Sequence, residues 1–313
     1  MYNDELKRRF INQYTKSDAM ASNCVYLFNH FEKYELEWGA DLCTQSTEKL
    51  QTAIDNLFGL RKQSSWARIT ILREYVKWCI SEDIAGVCDG MLHIKDVGLN
   101  KVRMLSVASP AHLQQYLDKL FAPIEDKTTD CIYRCYLWLA YCGMPEDHVL
   151  NVTCGDVNFD NMSVRYYDDE IPLYREAFSV FRVCATTDYF NHGTPGNPGY
   201  RQVSRVPGNE LMRGVRTMPD VSAMKVKLAK RASDKFGKDG MRISFERARL
   251  SGIFYRMYEN ERIGVPVDFS GVVADESQDK VYKNGTGSRG AVINRKIKAY
   301  EEDYARWKAA FSG

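Results

Sequence analysis

Apolar residues along the first hundred positions recur at helical spacing, and nothing there alternates like a strand. Leu50, Ile54, Leu57 and Phe58 fall at i, i+4, i+7 and i+8, one apolar face, with Ser46 placed as an N-terminal cap. Trp66, Ile69, Leu72, Val76 and Ile80 form a second stripe, and the stretch from about Met20 to Glu37, with Val25, Phe28 and Phe31, predicts a further helix. The periodicity lapses between about Gly86 and Ser109. It resumes at Ser109-Pro110, a cap followed by a proline at the first helical position, with Leu113, Tyr116, Leu117 and Leu120 inside. A helix from Asp130 to Cys142 should end at Gly143. Met162 to Tyr167 and Glu170 to Leu173 read as a short hairpin around Asp168-Asp169, and Asn191 to Gly199 reads as a surface loop. The expected fold class is mainly α with a small antiparallel β-sheet. The expected organisation is a helical domain over 1–97, a linker over 98–109 and a second domain over 110–313.

Composition narrows the class. Hydrophobic residues make up 44% and charged residues 27% of 313 positions, a globular balance of a length that favours two domains. No stretch approaches the roughly 18 consecutive apolar residues of a membrane helix, and the N-terminus is charged where a signal peptide needs an apolar centre. Nine cysteines without a CxxC pair suit neither a disulfide framework nor a zinc site. The expectation is a soluble cytoplasmic protein with no membrane partner, no metal and no cofactor.

The net charge of +2 conceals an asymmetry. Gly199 to Arg256 holds 14 Lys/Arg against 5 Asp/Glu, the last 57 residues hold 9 of each, and the first 198 carry the compensating −7. Local positive charge is the footprint of a nucleic-acid binder. Lys225, Lys227, Lys230, Arg231, Lys235 and Lys238 look like a basic helical face, flanked by Arg201, Arg205, Arg213, Arg216, Arg242, Arg247 and Arg249. Arg61, Lys62 and Arg68 are candidates for a second contact in the helical domain. A solvated surface helix is the plain alternative for such a charge run. The expected partner is double-stranded DNA.

From Cys142 the chain reads CGMPEDHVLNVTCGDVNFDNMSVRY and then DDEIPL. Gly143, Val149, Leu150, Val152, Asp156 and Val157, with the return strand Ile171-Pro172-Leu173, resemble the first signature of the tyrosine recombinase (phage integrase) catalytic domain. The preceding helices, closed by Tyr75 and Trp78, look like that family's core-binding (SAM-like) domain. The resemblance implies a tyrosine-recombinase-like second domain and DNA clamped between the two domains. The chemical residues do not carry over. Pro145 stands where the family places its first catalytic arginine, His148 stands for an acidic residue, and the shortened hairpin offers Tyr166, Tyr167, Asp168 and Asp169 in place of a lysine. The family's His-x-x-Arg is matched by Ser244 to Arg247, with Arg249 as the other candidate arginine, and Tyr282 or Tyr300 could stand for the nucleophile. This combination is similar to phage lytic-cycle repressors on the recombinase fold, and implies a transcriptional repressor of phage or mobile-element origin with no catalytic residues. The alternatives are an active recombinase with a divergent site, and a protein-interaction role that leaves the basic segment unexplained.

Other motifs carry less. The GxGxxG pattern of Gly285 to Gly290 lacks the second strand and acidic residue of a dinucleotide site, and reads as a hinge before a terminal helix. Cys131 and Cys135, with Cys142 and His148 near in sequence, read as buried small hydrophobes rather than metal ligands. No histidine falls in a triad signature. The terminal helix Ala291 to Phe311 carries Tyr300, Tyr304, Trp307 and Phe311 on one side, so it should dock on its own domain or on a neighbouring subunit, with self-association as one expected outcome.

Overall fold

A computed structural model describes residues 1–60, 62–122, 127–192, 196, 198, 200–204, 209–237, 240–275 and 289–312. The chain divides into two compact units, Met1–Val102 and Arg103–Gly313.

The first unit is built from helices α1 (Asp4–Tyr14), α2 (Asp18–Trp38), α3 (Thr47–Leu57) and α4 (Lys62–Ser81), with a short helix α5 (Leu99–Leu105) running across the boundary. Phe10, Phe28 and Tyr75 meet edge to face at 5.1–6.1 Å and are buried with Phe31, Leu72 and Val76. Each large apolar side chain so buried contributes about 1.5–3 kcal/mol. The α4 stripe is rotated from its sequence reading: Ile69, Leu72, Val76 and also Tyr75 and Cys79 face the core, whereas Trp66 and Ile80 are 59% and 48% exposed. Tyr75 and Cys79 widen the buried stripe to a side that the aliphatic and Trp positions alone do not mark. Ser46 does precede α3, yet its hydroxyl makes no cap bond, and Phe58 is buried from just beyond the helix end. An ion pair lies inside this core. Lys7 meets both Glu35 oxygens at 2.5 Å, with both side chains fully buried, and Tyr75 donates to Asp41 beside them.

The second unit is organised around one helix. It contains α6 (Pro110–Leu120), α7 (Lys127–Tyr141), α8 (Phe178–Thr186), α9 (Met218–Phe236), α10 (Phe245–Arg262), α11 (Phe269–Asp275) and α12 (Arg289–Phe311). Ser109 caps α6 by accepting from the His112 amide, with Pro110 at the first position. From Cys135 to Tyr141 every residue is fully buried, so this stretch of α7 is covered on all sides, as a helix apolar all round must be. Its Tyr141 carbonyl oxygen would lie 1.8 Å from a Cβ built on Gly252, so α7 and α10 approach at a distance only glycine permits.

A three-stranded antiparallel sheet, β1 (Val157–Asn158), β2 (Ser163–Tyr166) and β3 (Asp169–Pro172), pairs Tyr166 with Asp169. The turn is therefore Tyr167-Asp168, one residue earlier than expected, with Tyr167 at φ +53°. A second hairpin, β4 (Tyr189–His192) with β5 (Arg201–Ser204), takes in part of the segment expected to be loop. The mixed polarity of these strands carries no alternation that would announce them. The mainly helical class with a small antiparallel sheet is the observed one.

Candidate functional site

The end of α7, the β2–β3 hairpin and α10 form a cleft of about 650 Å³ lined by Gly143, Pro145, Tyr166 to Pro172, Arg249 and Arg256, together with Val272 of α11. Gly143 is at φ +105°, a backbone conformation that favours glycine, and the Arg256 guanidinium packs where a Cβ would otherwise stand. The last carbonyls of a helix lack partners within it. Here arginines supply them: Arg256 Nη1 donates to the Tyr141 and Cys142 carbonyls at 3.3 and 3.2 Å, and Arg249 Nε donates to that of Gly143 at 3.1 Å. Of the two arginines weighed for the His-x-x-Arg position, it is Arg249 that lines the cleft; the Arg247 amide donates to the capping hydroxyl of Ser244.

The remaining lining is poor in cations. Pro145 offers no charge, and the hairpin presents Asp168, Asp169 and Glu170, the last bonded to Ser163 at 2.7 Å. Beside the hairpin, His148 stands edge-on to Tyr166 at 4.6 Å and near Tyr167 at 4.8 Å. Burial lowers its pKa below the ordinary imidazole value, against the opposing charges of Asp147 and Asp156. Burial pushes the Cys142 thiol up to about 12, which removes it as a nucleophile. Tyr300 packs edge-on against Phe254 at 6.2 Å in the α10–α12 cluster and does not line the cleft. The signature residues around it are structural: Val149, Val152 and Val157 are buried, and Asp156 accepts from the Thr153 amide and hydroxyl while pairing with Arg165.

Helix α9 carries the basic face. Thr217 and Asp220 close its N-terminus as a capping box, and Val221, Met224, Leu228 and Ala232 bury one side. Its cations divide into two sets. Lys225 pairs with Glu146 at 2.8 Å, and Glu146 in turn accepts from the buried Tyr136 hydroxyl. Arg231 pairs with Asp130 at 3.0 Å and lies over the Phe121 ring at 4.6 Å, and Lys235 donates to the Ala122 carbonyl. Lys227 and Lys230, three residues apart, are exposed and have no ion pair or hydrogen bond among the described residues.

The flanking arginines also separate. Arg213 is 1% exposed with Nη2 on the Cys154 sulfur, so it reaches no phosphate and leaves the candidate interface. Arg216 pairs with Glu210 at 3.3 Å, Arg242 donates to Ser233, and Arg201 is exposed on β5. In the first unit Arg68 lies over the Phe58 ring at 5.6 Å. Arg61, Arg205, Lys238, Tyr282 and residues 285–288 of the glycine motif lie outside the described residues, as does the Lys62 side chain. Sequence reading missed Glu146, Asp130 and Phe121 as partners of the basic helix, because they are about 80 to 110 positions away and no local pattern links them.

The terminal helix α12 docks on its own unit. Tyr304 and Trp307 are buried against Phe254 and Met257, and Trp307 Nε1 donates to the Val107 carbonyl at 3.0 Å. That side is thus packed within its own unit, the first of the two outcomes expected for it. Among the described residues no group of His, Cys, Asp or Glu is placed to hold a metal ion, and no helix is long and apolar enough to cross a membrane.

Residues 1–82 match the family model described as the MrpR N-terminal core-binding domain, which supports the resemblance to the tyrosine recombinase superfamily. Among solved structures, two complexes of the Tn1549 transposon integrase with a circular intermediate DNA are similar at 11% and 13% identity, covering 93% of this chain and 98% of theirs, each with a TM-score of 0.35. A TM-score at that level assigns neither fold nor function. No curated protein matches.

Proposed function

We propose that this chain is a double-stranded-DNA-binding regulator, a transcriptional repressor of phage or mobile-element origin, on a tyrosine-recombinase scaffold without strand-cleaving activity. The observation that carries this reading is the placement of the cations. At the cleft, where phosphoryl transfer needs fixed positive charge around the phosphate, Pro145 and an acidic hairpin stand beside arginines engaged with backbone carbonyls. On α9, Lys227 and Lys230 stand exposed, as phosphate contacts must. The core-binding family match at residues 1–82 supports a DNA-directed role for the first unit.

Two measurements on the purified chain test it. Mobility shift of duplex DNA should show affinity that falls steeply with salt, by about 10³ to 10⁵ between roughly 50 and 200 mM if 6 to 10 phosphates are neutralised. A suicide substrate carrying the bound site should yield no covalent adduct. An adduct that disappears in Tyr282→Phe or Tyr300→Phe would replace the repressor with a divergent recombinase.

A further inference from the structure

The balanced charge of the last 57 residues hides a second asymmetry inside α12. Residues 289–300 hold Arg289, Arg295, Lys296 and Lys298 and no acid, and the acids of the helix follow together as Glu301, Glu302 and Asp303. Helix stability does not ask for this order, since the macrodipole favours acids toward the N-terminal end. Packing does not ask for it either. The buried residues Tyr304, Trp307 and Ala310 all belong to the second half, and there Lys308 is held by Glu261 at 2.8 Å. In the first half Asn294, Arg295 and Lys298 are exposed at i, i+1 and i+4 on one face. Arg295 bonds only the Ala291 carbonyl of its own helix, and neither it nor Lys298 has an ion pair among the described residues.

We infer that this face of α12, Asn294, Arg295 and Lys298, is a second contact surface for the phosphate backbone of duplex DNA, separate from α9. The inference rests on the DNA-binding reading above. Its neighbours on the exposed side are Gly290, Ala291 and Ala299, with no aromatic or large aliphatic anchor. A protein partner would need such an anchor, whereas phosphate contacts need only exposed cations and amide donors.

The test uses the full chain and a mixed-sequence DNA duplex in a salt titration. Arg295→Gln with Lys298→Gln should lower affinity roughly 50-fold near 0.1 M salt and reduce the slope of log affinity against log salt by about 1.8, two phosphate contacts' worth. Lys298→Glu alone should act in the same direction, and the thermal midpoint of both variants should stay that of the parent. If the parent binds duplex and the double variant matches its slope, the α12 surface is overturned while the DNA-binding reading stands. If the parent binds no duplex at any salt, both fall together.

Discussion

On the α10 wall of the cleft, Arg249 and Arg256 turn their guanidinium groups onto carbonyls at the end of α7, whereas on α9 Lys227 and Lys230 stand in solvent. Both places carry cations, and only one leaves them available. The first set completes a helix terminus that would otherwise hold orphan carbonyls. The second completes nothing within the described residues. A basic residue therefore marks an interface only after its internal obligations are known, and α9 itself shows the two cases side by side in Arg231 and Lys230.

The comparison can be broken first at the helix crossing that holds the cleft wall in place. Gly252→Ala would drive a Cβ into the Tyr141 carbonyl at 1.8 Å, and denaturant unfolding should report a loss of about 3 kcal/mol, because two backbones must separate. Next comes the outward set: Lys227→Glu with Lys230→Glu should weaken duplex binding by roughly 50-fold or more near 0.1 M salt, uniformly across sequences, with unfolding unchanged within about 0.5 kcal/mol. Unaltered gel retardation would show that these lysines are only a solvated face.

Arg231→Ala should do the reverse. It removes the guanidinium paired with Asp130, whose side chain is 7% exposed, and uncovers Phe121, for a loss of about 2 kcal/mol once the partial exposure of Arg231 is discounted, with the salt slope of DNA binding unmoved. Glu146→Gln sharpens the boundary between the sets, since it keeps an acceptor for Tyr136 but frees Lys225. Affinity should rise up to roughly eightfold near 0.1 M salt, with the slope steeper by about 0.9.

The smallest effect concerns the cap of α9. The Thr217 hydroxyl first, then the Arg216 and Thr217 amides and the charge of Arg201, hold the Asp220 carboxyl below its usual value of 3.8, against partial burial. A depressed folded pKa adds stability that is present above the unfolded value and lost as pH falls through the folded one. Asp220→Asn loosens a solvent-screened cap, so it should cost at most about 1 kcal/mol at neutral pH and flatten the acid limb of the stability curve below about pH 4. Melting curves that superimpose across this range would remove Asp220 from the account.

Periodic elements were legible and aperiodic ones were not. The α6 segment could be read down to its cap, because Ser109, Pro110 and the Leu113 to Leu120 stripe all act within one helix. Of the α4 stripe, Ile69, Leu72 and Val76 are buried, whereas Trp66 and Ile80 are apolar yet exposed and Tyr75 and Cys79 fill the core beside them. The β4–β5 hairpin went unread because its residues do not alternate in polarity. Among the cleft residues, Pro145 and the acidic hairpin were apparent as departures from a pattern. The convergence of Arg249 and Arg256 on the end of α7 was not, since it joins positions more than 100 residues apart.

By itself, then, the sequence determined the helical class, the terminating glycine at position 143, the acidic hairpin and the local surplus of cations between Gly199 and Arg256. Each depends on neighbours within a few positions, where spacing and side-chain type act directly. Only the tertiary structure decided which cations are bound internally and which face outward, that Arg213 is buried, and that α12 covers its aromatic side within its own unit. Those outcomes turn on which distant carboxylate, carbonyl or ring meets each side chain once the backbone is packed, and one-dimensional spacing holds no record of such meetings.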